Sequence, residues 1–501
     1  MLNNYLSGFS KVKVIDSPCG TGKTFAMIKK INNDFPLSTK IFYVTPYLSE
    51  VNRVRVECPI RDFVEPKPLK ATLEDGTEIW NKSNSLLSLV QKGRNICTTH
   101  SLLSNISEEL IDALRSQSYI LILDEVFDVV KEFKSTWLVQ NTRNSNEERM
   151  RNDIKKVMDM FLHHGVCTIS DEDYSISWNS ERARETLVEQ DRYEDVIRMA
   201  KRGLLYYIDG SVMYWVFPIE LFRDIFIETY ILTYMFDSQI QAAYYACHGL
   251  SWDKYHPVKS SKGSNISFDI VETKDDRFEK DWIRKARERI QIVDRDINRV
   301  GDSYLSSNNV EYETKLSVSW YEREWSKDDY GNISILADNT RNFFKNIAKE
   351  KRAEKRMWTV FKDYVDFMKG KEISEKAFLS VGARATNDWA DKTVLAYLVN
   401  KYQSPYTDKF FTKRGIKIDQ DGLALSELVQ WLWRSNIRVT TPYEMTKYTR
   451  KVKRKKKNKK EDVFDEKVIM VHPEKIQVYI PSERMRKLLI NYLWFDKKGE
   501  K

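Results

Sequence analysis

The sequence predicts an α/β protein of at least two domains built on parallel sheets, and three observations carry that expectation. At 501 residues the chain is too long for one hydrophobic core. Its first 130 residues alternate short β-branched or aromatic runs with helix-compatible stretches, which is the pattern of βαβ units. The same alternation returns in the last third, after an irregular middle. Composition agrees, since 42% hydrophobic and 31% charged residues describe a soluble globular chain. The apolar runs are far too short for a membrane span, and the start carries no export segment, so no membrane partner is expected. Five scattered cysteines without metal-ligand spacing point to a reducing cytoplasm.

Taken in order, the first domain covers residues 1–250, with strands at Val12–Ile15, Ile41–Thr45, Asn95–Thr98 and Tyr119–Leu123. Between about 131 and 224 the pattern breaks into an insertion, a charged helical region followed by a hairpin, GLLYYIDGSVMYWVFP. Asp209-Gly210 forms its turn, because both residue types accept positive φ. The sheet resumes at Thr229–Met235. Residues 251–340 read as a mixed connector, with a loop at Lys259–Asn265 and a charged helix over Lys280–Val300. The second domain, 341–501, has strands at Trp358–Phe361 and Phe378–Val381, a helix around Ala424–Arg438, and a strand near Gln477–Ile480. The net charge of +9 has a single source: Lys447–Lys460 carries ten positive charges and no acid, and removing those ten leaves −1. Like charges at that density repel and cannot be buried, so a solvated basic loop is expected, suited to phosphates or simply to solubility.

The strongest chemical signal is VKVIDSPCGTGKTFAMIKK. A strand, a glycine-containing turn ending in Gly-Lys-Thr, and a helix make a phosphate cradle. Gly20 and Gly22 let backbone N–H groups turn inward around Ser17–Thr24, with Thr21 between them, and the helix then offers its N-terminal dipole to the phosphates. Ser17 stands where the pattern usually has glycine. Lys23 should reach the β- and γ-phosphates of ATP, and Thr24 should hold Mg²⁺. The run YILILDEVFDVV places Asp124 101 residues beyond Lys23. Asp124 is expected in the Mg²⁺ shell, and Glu125 as the general base on the attacking water. In LALSELVQWLWRSNIR, Ser426, Gln430, Arg434 and Arg438 recur every four residues, one polar stripe if the segment is a continuous helix.

These residues resemble the superfamily 2 DExD/H-box helicases, in their phage or viral members above all. The resemblance covers about half the chain, chiefly 12–130 and 376–440. Val44-Thr45-Pro46 with Arg53 resembles motif Ia, and Ile96-Cys97-Thr98-Thr99-His100 resembles motif Ib. Asp124-Glu125-Val126-Phe127 resembles motif II, Leu232-Thr233-Tyr234 falls where motif III would lie, and Gly382–Asp388 where motif V would lie. Gln430, Arg434 and Arg438 resemble motif VI, although the family spaces its arginines by three residues rather than four. The resemblance implies two RecA-like P-loop domains around ATP and Mg²⁺. It further implies nucleic-acid contacts at Thr45, Pro46, Arg53, Thr99 and His100, and catalytic roles for Gln430, Arg434 and Arg438 at the γ-phosphate. An ATP-dependent helicase or translocase is the expectation, acting on DNA in preference to RNA, in a bacterial or phage-infected cell. The 131–224 insertion is the expected place for protein partners. The alternatives are another P-loop motor, such as a DNA-packaging ATPase or duplex remodeller, and a nucleotide-switched nucleic-acid-binding module.

Overall fold

The computed structural model describes residues 11–72, 78–133, 147–186, 193–262, 265–302, 314–383, 388–439, 446–453 and 464–497. The fold is α/β with parallel sheets, as expected, and divides into two compact units. One comprises Met1–Asp16, Met27–Tyr255 and Gln403–Asp419; the other comprises Ser17–Ala26, His256–Tyr402 and Gln420–Lys501.

Strands β1 (Val12–Asp16) and β2 (Lys40–Thr45) are followed by a small antiparallel pair, β3 (Leu69–Thr72) and β4 (Glu78–Asn81). Then come β5 (Ile96–Thr99) and β6 (Tyr119–Asp124). After β6 the chain runs through β7 (Val130–Glu132), a helix Glu147–His163, the pair β8 (Cys167–Ile169) and β9 (Ile176–Trp178), and the hairpin β10 (Leu205–Ile208) with β11 (Val212–Val216). Asp209 and Gly210 both have positive φ, 53° and 62°, as a two-residue turn of the primed kind requires. The main sheet resumes with β12 (Glu228–Thr233) and is extended by β13 (Trp252–Lys262) and β14 (Asn265–Glu272).

The resulting order is β14-β13-β1-β12-β6-β2-β5. From β13 to β5 every pairing is parallel. All six residues of β6 are buried, which is why it reads as an uninterrupted apolar run: a strand in a parallel sheet is covered on both faces.

The second unit has its own parallel sheet, from β15 (Ile290–Ile292), β16 (Arg356–Thr359), β17 (Val394–Tyr397) and, later in the chain, β20 (Ile476–Tyr479), in the order β15-β20-β17-β16. Its core gathers Trp320, Tyr321, Phe343, Trp358 and Tyr479. Strands β18 (Thr446–Lys453) and β19 (Phe464–Val471) pair antiparallel.

Several expectations are corrected here. The 251–340 connector is no separate region, because β13 and β14 belong to the main sheet and β15 to the second. The loop at Lys259–Asn265 is largely strand, since backbone pairing needs no apolar side chains. The long helix over Lys280–Val300 is instead a helix at Arg277–Arg287, the strand β15 and a 3₁₀ turn at Asp296–Gly301. Phe378–Val381 contributes one bridge, Trp358 to Phe378, and no strand, while β17 supplies the missing one. The second domain is not continuous: Gln403–Asp419 belongs to the first unit, where Phe410 and Phe411 enter the core and Tyr214 Oη lies 2.8 Å from Thr407 Oγ1. The basic run begins as strand rather than loop through Lys453, and residues 454–460 lie outside the described ones.

Candidate functional site

Strand β1 delivers the chain into the loop Ser17–Gly22, and the helix Lys23–Asn33 begins directly after it. Gly20 and Gly22 have φ of 85° and 96°, left-handed values that a side chain would strain. The loop closes on itself. Thr21 Oγ1 donates to the Pro18 carbonyl at 2.8 Å and lies 2.9 Å from Ser17 Oγ. Lys23 Nζ donates to the carbonyls of Ser17 (2.5 Å) and Pro18 (3.1 Å), which holds its ammonium over the turn. Thr24, half-buried, stands on the first turn of the helix.

The acid pair lies at the end of β6. Two parallel registers, Asp16 beside Thr233 and Leu232 beside Asp124, bring the C-terminal ends of β1, β12 and β6 to one edge of the sheet. Asp124 is buried and accepts a hydrogen bond from the hydroxyl of Tyr43 at 3.3 Å. Burial, and then the Asp124 charge, hold the Tyr43 phenol well above its usual range, so it stays a donor. Glu125 leaves the strand at φ 71°, a strained value for a non-glycine residue, with its N–H on the Leu232 carbonyl at 2.9 Å. Gln241 steadies the next turn, accepting from the Phe127 N–H (2.8 Å) and donating to the Tyr245 hydroxyl (2.9 Å).

Sequence reasoning missed Asp16. Its carboxylate accepts the N–H groups of Met235 (2.7 Å) and Phe236 (3.2 Å) and meets Lys254 Nζ at 3.3 Å. Burial pushes this carboxyl up, and Lys254 opposes that shift. Asp16 thus ties the last residue before the loop to the turn after β12. The one available signal was an acid ending an otherwise apolar strand.

The polar stripe does not exist as one helical face. The helix Gln420–Leu432 ends before either arginine, and Arg434 N donates to Trp431 O, an i−3 bond that tightens the chain into a turn. Ser426 is buried with its hydroxyl on Leu423 O, Gln430 is half-buried, Arg434 is buried, and Arg438 ends a 3₁₀ turn, Asn436–Arg438. That turn is pinned from afar. Buried Asn436 donates to the carbonyls of Ala390 (3.2 Å) and His472 (2.9 Å) and accepts from Glu474 N (2.7 Å). The Arg289 guanidinium donates to Asn436 Oδ1 (2.6 Å) and to the carbonyls of Asn436, Ile437 and Val439. Within this unit the turn reaches the loop: a Cβ built on Gly20 would stand 3.6 Å from the Arg438 carbonyl oxygen and 3.8 Å from its Cβ.

The expected nucleic-acid contacts divide. Thr45 is fully buried at the end of β2, so its side chain is not offered to a strand; the exposed residues there are Tyr47, Leu48 and Ser49, after half-buried Pro46. Arg53 is tied to Glu50 (3.2 Å) and Glu57 (3.0 Å). Thr99 and His100 are half-buried, and the His100 ring meets Phe127 edge-on at 5.5 Å. Of Gly382–Asp388, residues 384–387 lie outside the described ones.

Residues 284–453 match the family described as the YonV C-terminal Rossmann-like domain. Over 486 residues, 96% of this chain and 98% of the relative, the sequence is 32% identical to the SPbeta prophage-derived protein YonV of Bacillus subtilis (strain 168). Among solved structures, Xpd4 of S. tokodaii is similar over 96% of this chain and 94% of that one, with 10% identity and a TM-score of 0.43. The DUF1998 helicase MrfA is similar over 98% of this chain and 49% of that one, with 9% identity and a TM-score of 0.27.

Proposed function

The chain belongs to the YonV family, and we propose that it is an ATP-driven nucleic-acid motor of the helicase or translocase type. The phosphate loop carries this reading: two left-handed glycines between a buried strand and a helix, Lys23 folded over the turn, and the Arg438 main chain beside Gly20. In this reading Ser17–Thr24 cradle the triphosphate and Lys23 takes the β- and γ-phosphates.

Hard oxygen donors suit Mg²⁺: the Asp124 carboxylate, held by Tyr43, would serve the ion, and the Thr24 hydroxyl is a donor of the same kind. When bound, the ion neutralises charge on the β- and γ-phosphates. Glu125 accepts a proton from the water whose oxygen bonds to the γ-phosphorus, while the bond from that phosphorus to the bridging oxygen breaks. Arg438 stabilises the charge on the transferring group, and the Asn436–Arg289 network positions it. Nucleic acid, DNA in preference to RNA, meets the sheet edge around Pro46, Thr99 and His100 and the basic run Lys447–Lys460. The prophage origin of the relative supports a bacterial or phage setting.

The test is ATP hydrolysis by the full chain with single-stranded DNA, duplex DNA and RNA added separately, beside Lys23→Ala. Stimulation by one of them, lost in Lys23→Ala, is expected. Hydrolysis that no nucleic acid changes would leave the nucleotide switch as the better reading, and Lys23→Ala hydrolysing at the wild-type rate would remove the loop from the chemistry.

A further inference from the structure

We infer that Phe25 and Phe268 form the stacking platform for the nucleotide base, which makes the site selective for purine nucleoside triphosphates. The inference rests on the ATP reading of the loop. Phe25 is the third residue of the helix Lys23–Asn33, immediately after Thr24, and is 56% exposed. A large apolar ring on the first turn of a phosphate-binding helix contributes little to a core from there. Its neighbour is Phe268 on β14, and the two rings stack with centroids 6.1 Å apart and planes 20° from parallel. Phe268 also lies against the loop. A Cβ on Gly22 would fall 2.4 Å from its Cε1 and 2.6 Å from its Cδ1, so glycine is needed there for space as well as for its φ of 96°. All three residues belong to one compact unit.

The chemistry follows from the order of the ligand. Phosphates held by the N–H groups of the loop and the first helical turn leave the ribose and base to emerge past the α-phosphate, beside the residue that follows Thr24. Every base has a π-face, and stacking on an aromatic side chain grows with ring area. Among the described residues, the immediate polar neighbours of Phe268 along β14 do not share its face. Ser267 and Asp269 point to the other side by the period of two, where Ser260 Oγ meets them at 2.8 Å and 3.2 Å. Recognition by area without edge contacts separates purines from pyrimidines but adenine from guanine only weakly.

The experiment measures affinity of the full chain for ATP, GTP, CTP and inorganic tripolyphosphate in wild type, Phe25→Ala, Phe268→Ala, Phe268→Tyr and Lys23→Ala. Expected are ATP and GTP bound alike and tighter than CTP. Both alanine variants should lose about five- to a hundredfold in ATP and GTP affinity with tripolyphosphate unchanged, and Phe268→Tyr should retain binding. Unchanged or tighter ATP binding in both alanine variants overturns the platform, tighter binding meaning that the rings cover the loop. Equal losses for ATP and tripolyphosphate overturn it too, because the loop itself would have been damaged. Phe25 is exposed, so its variant decides the matter even if Phe268→Ala fails to fold. Lys23→Ala separates the two readings: it should lose ATP and tripolyphosphate together, and if it loses neither, the phosphate-loop reading fails on its own account.

Discussion

The loop at Ser17–Lys23 and the turn at Arg434–Val439 are expected to act on the same phosphates, yet they are held in opposite ways. Every hydrogen bond described above within the loop joins residues three to six positions apart. The turn is held by partners 36, 38, 46 and 147 residues away, through Asn436 and Arg289. A locally closed turn needs only its own residue types and two glycines. A turn held from a distance needs the second sheet and the segments around it to be complete before it has a shape. Damage to the loop should therefore stay in the loop, whereas damage to the supports of the turn should spread.

Four experiments test this difference. Arg438→Ala should lower turnover by about 10³–10⁵ with ATP affinity retained, the range for arginines that stabilise phosphoryl transfer. Normal hydrolysis would reduce the turn to a structural feature. Glu125→Gln should lower turnover by about 10²–10⁴ while ATP still binds, and wild-type rates would mean that another group takes the proton.

Third, stability should distinguish the two regions. Asn436→Ala strands several buried donors and acceptors and should cost about 3 kcal/mol or more, against about 1 kcal/mol for Thr21→Ala, whose bond lies in a half-buried local turn. Thermal unfolding of the full chain reads this, and equal shifts would dissolve the contrast. Last, deleting Lys447–Lys460 should flatten the salt dependence of single-strand binding by about 0.7 in log–log slope per lost phosphate contact. Unstimulated ATPase should not change, and an unaltered slope would remove the run from the nucleic-acid interface.

Features with local causes are legible in the residues themselves. The strands β1, β2, β5, β6 and β12 were legible because each is a short apolar run that a parallel sheet covers on both faces. The turn Asp209-Gly210 was legible because both residue types accept positive φ, and the bend between β1 and the helix Lys23–Asn33 because Gly20 and Gly22 accept it too. Other features depend on partners far along the chain. Strands β13 and β14 carry too many Lys, Ser and Asp residues to announce themselves, and backbone pairing to β1 makes a strand of β13 regardless. The helix carrying Gln430 stops at Leu432 although its apolar periodicity continues, because the N–H of Asn436 goes to Lys392 O and its side chain to Ala390, His472, Glu474 and Arg289. Spacing placed Arg434 and Arg438 on one face; long-range hydrogen bonds buried the first and set the second beside Gly20, since a buried polar group goes wherever its partners are.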